Sequence, residues 1–284
     1  MSVWVRVNKD FRCAICNRAD WCRYSPKFKG YQCMRIVSNH PMLSGGYWHL
    51  EPKTENPMPL PKATPEPPAI DAESILRECQ TFTKSEWIST LAVRLGVSYS
   101  SLMALGCVWI PRRVIQRYQE WRGDGSWGFP MRNGEGRPVG IRLRTNGGRK
   151  ISIRGGKEGI FVPDRGWSST AWMGESPTEL AAILTLGLWG LGRPNCRGGI
   201  AHTQVAINRL HIKRIINVAN NDLPHWENDR SPGLEGARAL ANELQVPVAT
   251  VVLPTKDLRQ FVIDGGTVDV LNAMIQHLNW KEPK

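Results

Sequence analysis

Four cysteines crowd into the first 33 residues of a 284-residue chain, at Cys13, Cys16, Cys22 and Cys33, while Cys79, Cys107 and Cys196 are scattered. An odd total with four clustered favours a metal site over disulfides, in a reducing compartment. In "CAICNRADWC" two thiolates separated by two residues can bind one tetrahedral Zn²⁺ from a tight knuckle, and two more close the site. With all four positions filled, no place stays open for water, so the expected role is structural. His40 and His49 lie downstream as replacements for Cys22 if the ribbon has another geometry. The segment is basic, with Arg12, Arg18, Arg23, Lys27, Lys29 and Arg35 against Asp10 and Asp20. Trp21, Tyr24, Phe28 and Tyr31 have two uses, stacking on unpaired bases or filling a small core, and the core is expected for most of them.

Seven prolines between Pro52 and Pro68 make the stretch around Glu51 to Ile70 an extended, semi-rigid linker between the Cys-rich head and the remainder. The chain carries a formal charge of +12, a field that attracts phosphate polyanions. Much of it is local: twelve basic residues lie between Arg112 and Lys157 against Glu120, Asp124 and Glu135. The apolar stretch around Leu180 to Leu191 is too short to cross a bilayer and Met1 to Asp10 lacks a signal-peptide core, so a cytoplasmic chain without membrane partners is expected.

After the linker, "AESILRECQTF" and "SEWISTLAVRLGV" place apolar residues at helical spacing, with Ser85 as a cap for the second. "LAVRLGVSYSSLMAL" has the flavour of a helix-turn-helix about Gly96, although such matches are usually ordinary helix pairs. From Trp127 to Pro163 short β-prone runs alternate with Gly-containing turns, as in hairpins. From Trp167 onward, apolar runs ("TAWMG", "LWGL", "IKRIINVA", "VPVATVVL") alternate with helix-like segments ("PTELAAILTLG", "AHTQVAINRL", "PGLEGARALANEL"), a rhythm that implies βαβ units and a parallel sheet.

In an open parallel sheet, ligands collect at the carboxyl ends of the strands. Here acids follow those ends: Glu175 after "TAWMG", Asn220 and Asp222 after "IKRIINVA", Asp257 after "VPVATVVLPTK". Each alone reads as a turn former or cap. Together, Glu175, Asp222 and Asp257 form a candidate Mg²⁺ site of hard oxygen ligands. Gly198 and Gly199 match no phosphate-loop spacing and read as a turn.

At these residues the chain resembles the TOPRIM-containing bacterial-type DNA primases, in particular the zinc-ribbon primases of phages and mobile elements. "GESPTELAAILTLG" is similar to the first TOPRIM motif, with its Glu at Glu175; "GLGRPNCRGG" resembles the turn after the next strand. "VANNDLP" resembles the Asp-x-Asp motif, and "TKDLRQF" the later Lys-Asp segment. The basic stretch from Phe129 to Pro163 is similar to the catalytic subdomain before TOPRIM, and "CAICNRADWC" to the zinc module. The resemblance implies an α/β chain, α+β overall: a zinc ribbon (1–50), a linker (51–71), a basic mixed α+β primase subdomain (72–166) and a TOPRIM-like parallel-sheet domain with a C-terminal helix (167–284).

It also implies synthesis of short RNA primers on single-stranded DNA from nucleoside triphosphates by two-metal phosphoryl transfer. Glu175, Asp222 and Asp257 would hold Mg²⁺ or Mn²⁺, with Asn220 beside them, and Arg142, Arg144, Lys150 and Lys157 would contact template or triphosphate. No Walker motif occurs in the chain, so unwinding is expected from a separate replicative helicase. One position departs from the pattern: Asn220 stands where the first metal Asp belongs. An amide keeps one oxygen for a cation but removes a negative charge. A weakened enzyme, a preference for Mn²⁺, a ligand set using Glu179 or Asp257, and a catalytically silent template-binding protein all remain open.

Overall fold

The computed structural model describes residues 4–36, 38–40, 42, 46–52, 68–221 and 231–283. The chain divides into two compact units, Met1–Glu66 and Pro67–Lys284. Most of the expected linker, 53–67, lies outside the described residues, as does Asp222.

In the first unit, β1 (Val5–Arg6), β2 (Arg23–Ser25), β3 (Gly30–Cys33) and β4 (Tyr47–Leu50) form an antiparallel sheet in sequence order. Its core is small: Val7, Phe11, Tyr24 and Tyr31 are buried with Cys13, Cys22 and Cys33. The expected core use holds for two of the four aromatics. Tyr24 and Tyr31 lie in the core, their ring centroids 4.8 Å apart, whereas Trp21 and Phe28 are exposed.

The second unit begins with α1 (Ala72–Gln80), α2 (Ser85–Leu95) and α3 (Tyr99–Ala104). Asp71 caps α1 by accepting the Ser74 N–H at 3.0 Å. Ser85 is not the cap of α2; that position falls to Lys84, which makes no side-chain capping bond, and the Ser85 hydroxyl turns to Glu86 instead. Helix α2 ends at Gly96 with φ 66°, a left-handed cap that favours glycine. Helix α3 is six residues long, buries Leu102 in the core, and is tied to a later helix where the Ser98 N–H donates to Thr185 Oγ1 at 2.8 Å. The α2–α3 pair about Gly96 is thus fastened to the core of the second unit.

An antiparallel sheet follows, β5 (Val108–Pro111), β6 (Gly125–Arg132), β7 (Pro138–Arg144) and β8 (Lys150–Ser152), with α4 (Arg112–Ile115) after the first strand. One face carries Val108, Ile110, Ile141 and Leu143 against Ile75, Leu76 and Cys79 of α1. The remaining elements are β9 (Thr170–Gly174), α5 (Pro177–Thr185), β10 (Gly190–Gly192), α6 (Ile200–Arg209), β11 (Arg214–Ala219), α7 (Pro232–Glu243), β12 (Val248–Val252), α8 (Leu258–Ile263) and α9 (Val268–Ile275). Their strands make a parallel sheet in the order β10-β9-β11-β12.

Both faces of this sheet are covered, which is why its strands read as unbroken apolar runs. Ile215, Ala171 and Met173 meet Ala206, Ile207, Leu240 and Leu244 of the α6 and α7 layer. On the opposite face Trp172, Ile216 and Val218 share one core with α2, α5, α8 and the β6 residues Trp127, Phe129 and Met131. The two sheets are also joined by backbone. Ile160 exchanges both hydrogen bonds with Arg132 of β6, and Phe161 exchanges both with Gly192 of β10. Among the described residues no helix is long and apolar enough to cross a membrane.

Candidate functional site

In the first unit the Cys13–Cys16 knuckle is a tight turn: the Asn17 N–H donates to Cys13 O at 2.7 Å and Asn17 takes φ 54°, a left-handed value that Asn tolerates. Cys22 and Cys33 come from either side of the β2–β3 hairpin. The four sulfurs lie within 4.8 Å of one another, with Cys16 Sγ to Cys22 Sγ at 3.6 Å and Cys22 Sγ to Cys33 Sγ at 4.0 Å. Four thiolates at Zn–S bond lengths would stand about 3.8 Å apart, so the arrangement fits a tetrahedral Zn²⁺. Backbone N–H groups already point at the sulfurs, from Met34 to Cys22 and from Ile36 to Cys33, as expected around thiolate ligands. His49 turns elsewhere, its Nε2 against Ile36 O at 2.9 Å.

In the second unit polar residues leave the carboxyl ends of all four parallel strands: Glu175 after β9, Arg193 after β10, Asn220 after β11 and, five residues on, Asp257 after β12. Helix α5 starts in a capping arrangement. Ser176 Oγ accepts the Glu179 N–H at 3.2 Å, and Glu179 Oε2 reaches back to the Glu175 N–H at 3.0 Å. This bend requires Gly174, because a Cβ there would lie 2.8 Å from Glu179 Cβ.

The Asn220 amide sits between the two acids, with Nδ2 3.4 Å from both Glu175 Oε2 and Glu179 Oε1, while its buried Oδ1 has no hydrogen-bond partner. Arg193, fully buried, approaches Glu175 Oε1 with Nη2 at 3.9 Å. Burial pushes the Glu179 carboxyl above its ordinary range, and the charge of Asp257 adds to that; the Glu175 N–H, Lys150 and the Asn220 amide oppose it.

Glu175, Glu179 and Asn220 are thus brought together. Asp257 is not drawn into the same knot: its carboxylate caps α8 by accepting the Gln260 N–H at 2.8 Å. Among the described residues, the four cysteines are the only set of three or more Cys, His or acidic side chains gathered around one point. The two carboxylates and the orphaned Asn220 oxygen offer hard donors of the kind Mg²⁺ or Mn²⁺ accepts, with Asp257 near enough to act electrostatically.

Facing the acids is a basic wall. Across the antiparallel sheet the registered neighbours Trp109, Trp127, Arg144 and Lys150 form one row through β5, β6, β7 and β8. The row begins with aromatics: Trp87 meets Trp109 edge-on at 6.3 Å, and Trp109 meets Trp127 at 5.3 Å. It ends in cations. Burial lowers the Arg144 pKa, and Arg259 and Arg94 lower it further. Desolvation also lowers that of Lys150, which Glu179 and Asp257 partly offset. Such mutual repulsion among cations favours a bound polyanion. Arg142 is engaged by Pro194 O at 3.0 Å, and Lys157 is exposed on the loop after β8, outside the row.

Sequence reasoning missed Arg193, Arg94 and Arg259. Arg193 had a signal, since it directly follows a strand made of Gly, Leu and Gly and so stands at the same sheet edge as Glu175. Arg259 lies two residues beyond Asp257, but nothing local distinguishes it from a solvated helix residue.

No protein-family model and no curated protein sequence matches the chain. Solved structures do. A DnaG primase catalytic domain bound to single-stranded DNA matches with a TM-score of 0.56 at 11% identity, over 74% of this chain and 79% of that one. The primase fragment of the bacteriophage T7 primase-helicase protein matches at 0.50 and 12%, over 95% of this chain and 99% of that one. The zinc-binding and RNA polymerase domains of the Aquifex aeolicus primase match at 0.50 and 15%, over 72% and 60%. At such identities the likeness concerns fold: the chain has the mixed α+β fold of DnaG-type primase domains, with a parallel sheet and a four-cysteine cluster.

Proposed function

We propose that the chain is a primase that makes short RNA primers on single-stranded DNA in phage, plasmid or mobile-element replication, with unwinding left to a separate helicase. The observation that carries this reading is the placement of Glu175, Glu179 and Asn220 at parallel strand ends, opposite the Arg144–Lys150 end of a basic and aromatic row. The parallel sheet is read as a TOPRIM domain.

Cys13, Cys16, Cys22 and Cys33 would hold a structural Zn²⁺. Glu175 and Asp257, with Asp222, Asn220 and Glu179, would hold Mg²⁺ or Mn²⁺. Bound there, the divalent ion would favour ionisation of the attacking 3′ hydroxyl and stabilise the leaving pyrophosphate. In the transfer the 3′ oxygen forms a bond to the α-phosphorus of the incoming triphosphate as the bond to pyrophosphate breaks. Arg144, Lys150 and Arg259 balance phosphate charge, and Trp87 and Trp109 offer faces on which template bases stack.

A second reading is favoured by Asn220 itself, a neutral amide between Glu175 and Glu179 that leaves the cluster one negative charge short of the expected acid: a single-strand-binding replication accessory on a primase scaffold. Primer synthesis on single-stranded DNA, with labelled ribonucleotides and Mg²⁺ or Mn²⁺, separates the two. Primers from the native chain that vanish in Glu175→Ala establish the enzyme. Silence from the native chain with activity in Asn220→Asp identifies a site disabled at one ligand, and silence from both leaves the accessory.

A further inference from the structure

We infer that the groove beside the free edge of β12 is an accessory site for a free nucleoside phosphate, separate from the strand-end cluster. It lies between α7, β12 and the segment after α9, and encloses about 570 Å³. That volume is in the range of small-molecule sites. At β12 it is lined by Val248 and Thr250, the strand's first and third residues, whereas the cluster gathers at the carboxyl ends of the sheet.

The outer wall of the groove is fixed. Val248 and Lys281 exchange both backbone hydrogen bonds, at 3.0 and 2.9 Å, and the Arg214 guanidinium sits over the Trp280 ring at 5.3 Å. β12 is the last strand of its sheet, and beyond that one bridge no further strand pairs with its outer edge among the described residues. Peptide groups alternate sides along a paired strand, so Thr250 turns its N–H the same way as Val248, outward at the groove.

Among the described residues the lining is rich in donors and holds no acid. Arg238, His277 and Lys281 border it together with the amides of Asn242 and Asn279. Arg77, Arg117, Arg132 and Arg197 each pair with a carboxylate elsewhere, but the Arg238 and Lys281 side chains have no hydrogen-bond or ion-pair partner among the described residues. Glu235 of α7 is held by Arg197 at 2.7 Å, and Glu243 and Glu282 lie outside the lining. Two unanswered cations beside several N–H donors suit the oxygens of a phosphate. The rest of the lining is apolar, with Ala241, Val248 and Leu278 giving a surface on which a ring can lie. Inorganic phosphate answers only the first half of this lining and a nucleoside only the second. A nucleoside phosphate answers both.

The test is equilibrium dialysis of radiolabelled ADP against the full zinc-loaded chain, without Mg²⁺ or Mn²⁺, with zinc content and thermal melting checked for each variant. The native chain is expected to retain ADP, with adenosine and inorganic phosphate each competing at least about tenfold more weakly. Arg238→Gln and Lys281→Gln are each expected to weaken ADP binding about tenfold; because they lie on different elements, one remains if the other fails to fold. No retention at millimolar ADP overturns the inference, as does inorganic phosphate that competes as well as ADP. Retention that falls in Lys150→Gln and not in Arg238→Gln places the nucleotide beside the strand-end cluster and overturns it too. A single-stranded oligonucleotide that displaces ADP and loses affinity in Arg238→Gln would give the groove to strand phosphates and rule out a free nucleotide. None of these readouts involves primer synthesis, so the inference stands or falls apart from the primase reading.

Discussion

Glu179 carries two burdens at once. As the third residue of α5 it completes a helix cap, and as a buried acid it stands beside Asn220 and within the field of Asp257. Removing it leaves the Glu175 N–H and one contact of the Asn220 amide without an acceptor. Glu179→Ala is therefore expected to destabilise the second unit by about 1–3 kcal/mol in urea unfolding, with Glu179→Gln losing clearly less because its amide oxygen still accepts. The Ser-Pro-Thr-Glu spacing holds a cap that the sequence reading passed over, while Glu175 was legible from the strand before it. What stayed hidden was the pairing across strands. Nothing local in "GLGRPN" announces that the arginine turns inward, because its burial depends on β9 and the Cys196 carbonyl.

At the level of elements, the first unit has few apolar residues for its four short strands, and three of its buried side chains are the cysteines themselves. Its stability should depend on metal, since structural zinc can supply roughly 10–16 kcal/mol in small modules. Stripping zinc with a strong chelator is expected to abolish the melting transition of Met1–Glu66 while leaving that of Pro67–Lys284 in place, as read by scanning calorimetry. A single shared transition that shifts as a whole would contradict this. The parallel strands were readable because burial on both faces leaves continuous apolar runs. The Ser85 cap was misplaced by one residue because a serine at a helix start is equally at home in its first turn. The helix pair about Gly96 was legible, but its seat in the fold was not, since that depends on Leu102 entering the core and on the start of α3 being fastened to Thr185.

For the molecule as a whole, the charge of +12 is concentrated rather than spread. With Arg94, Arg144, Lys150 and Arg259 as the phosphate contacts, single-stranded DNA affinity should fall with salt along a log–log slope of about −3, and Arg144→Ala should lessen that slope by about 0.7. Fluorescence anisotropy across a salt series checks both values; an unchanged slope in Arg144→Ala would remove that residue from the path. Overall order, from cysteine head through basic middle to parallel sheet, was legible because each segment has its own texture. The facing of the basic row and the strand-end acids was not, since it arises from a core shared between sheets and from the Arg132–Ile160 and Phe161–Gly192 backbone pairs. Those pairs have a kinetic consequence. Among the described residues these walls are stitched together by peptide hydrogen bonds and a common core, so a ligand entering between them should meet a preset geometry. Its arrival should be governed by diffusion and loss of hydration, scaling with solvent viscosity, rather than waiting on a gate.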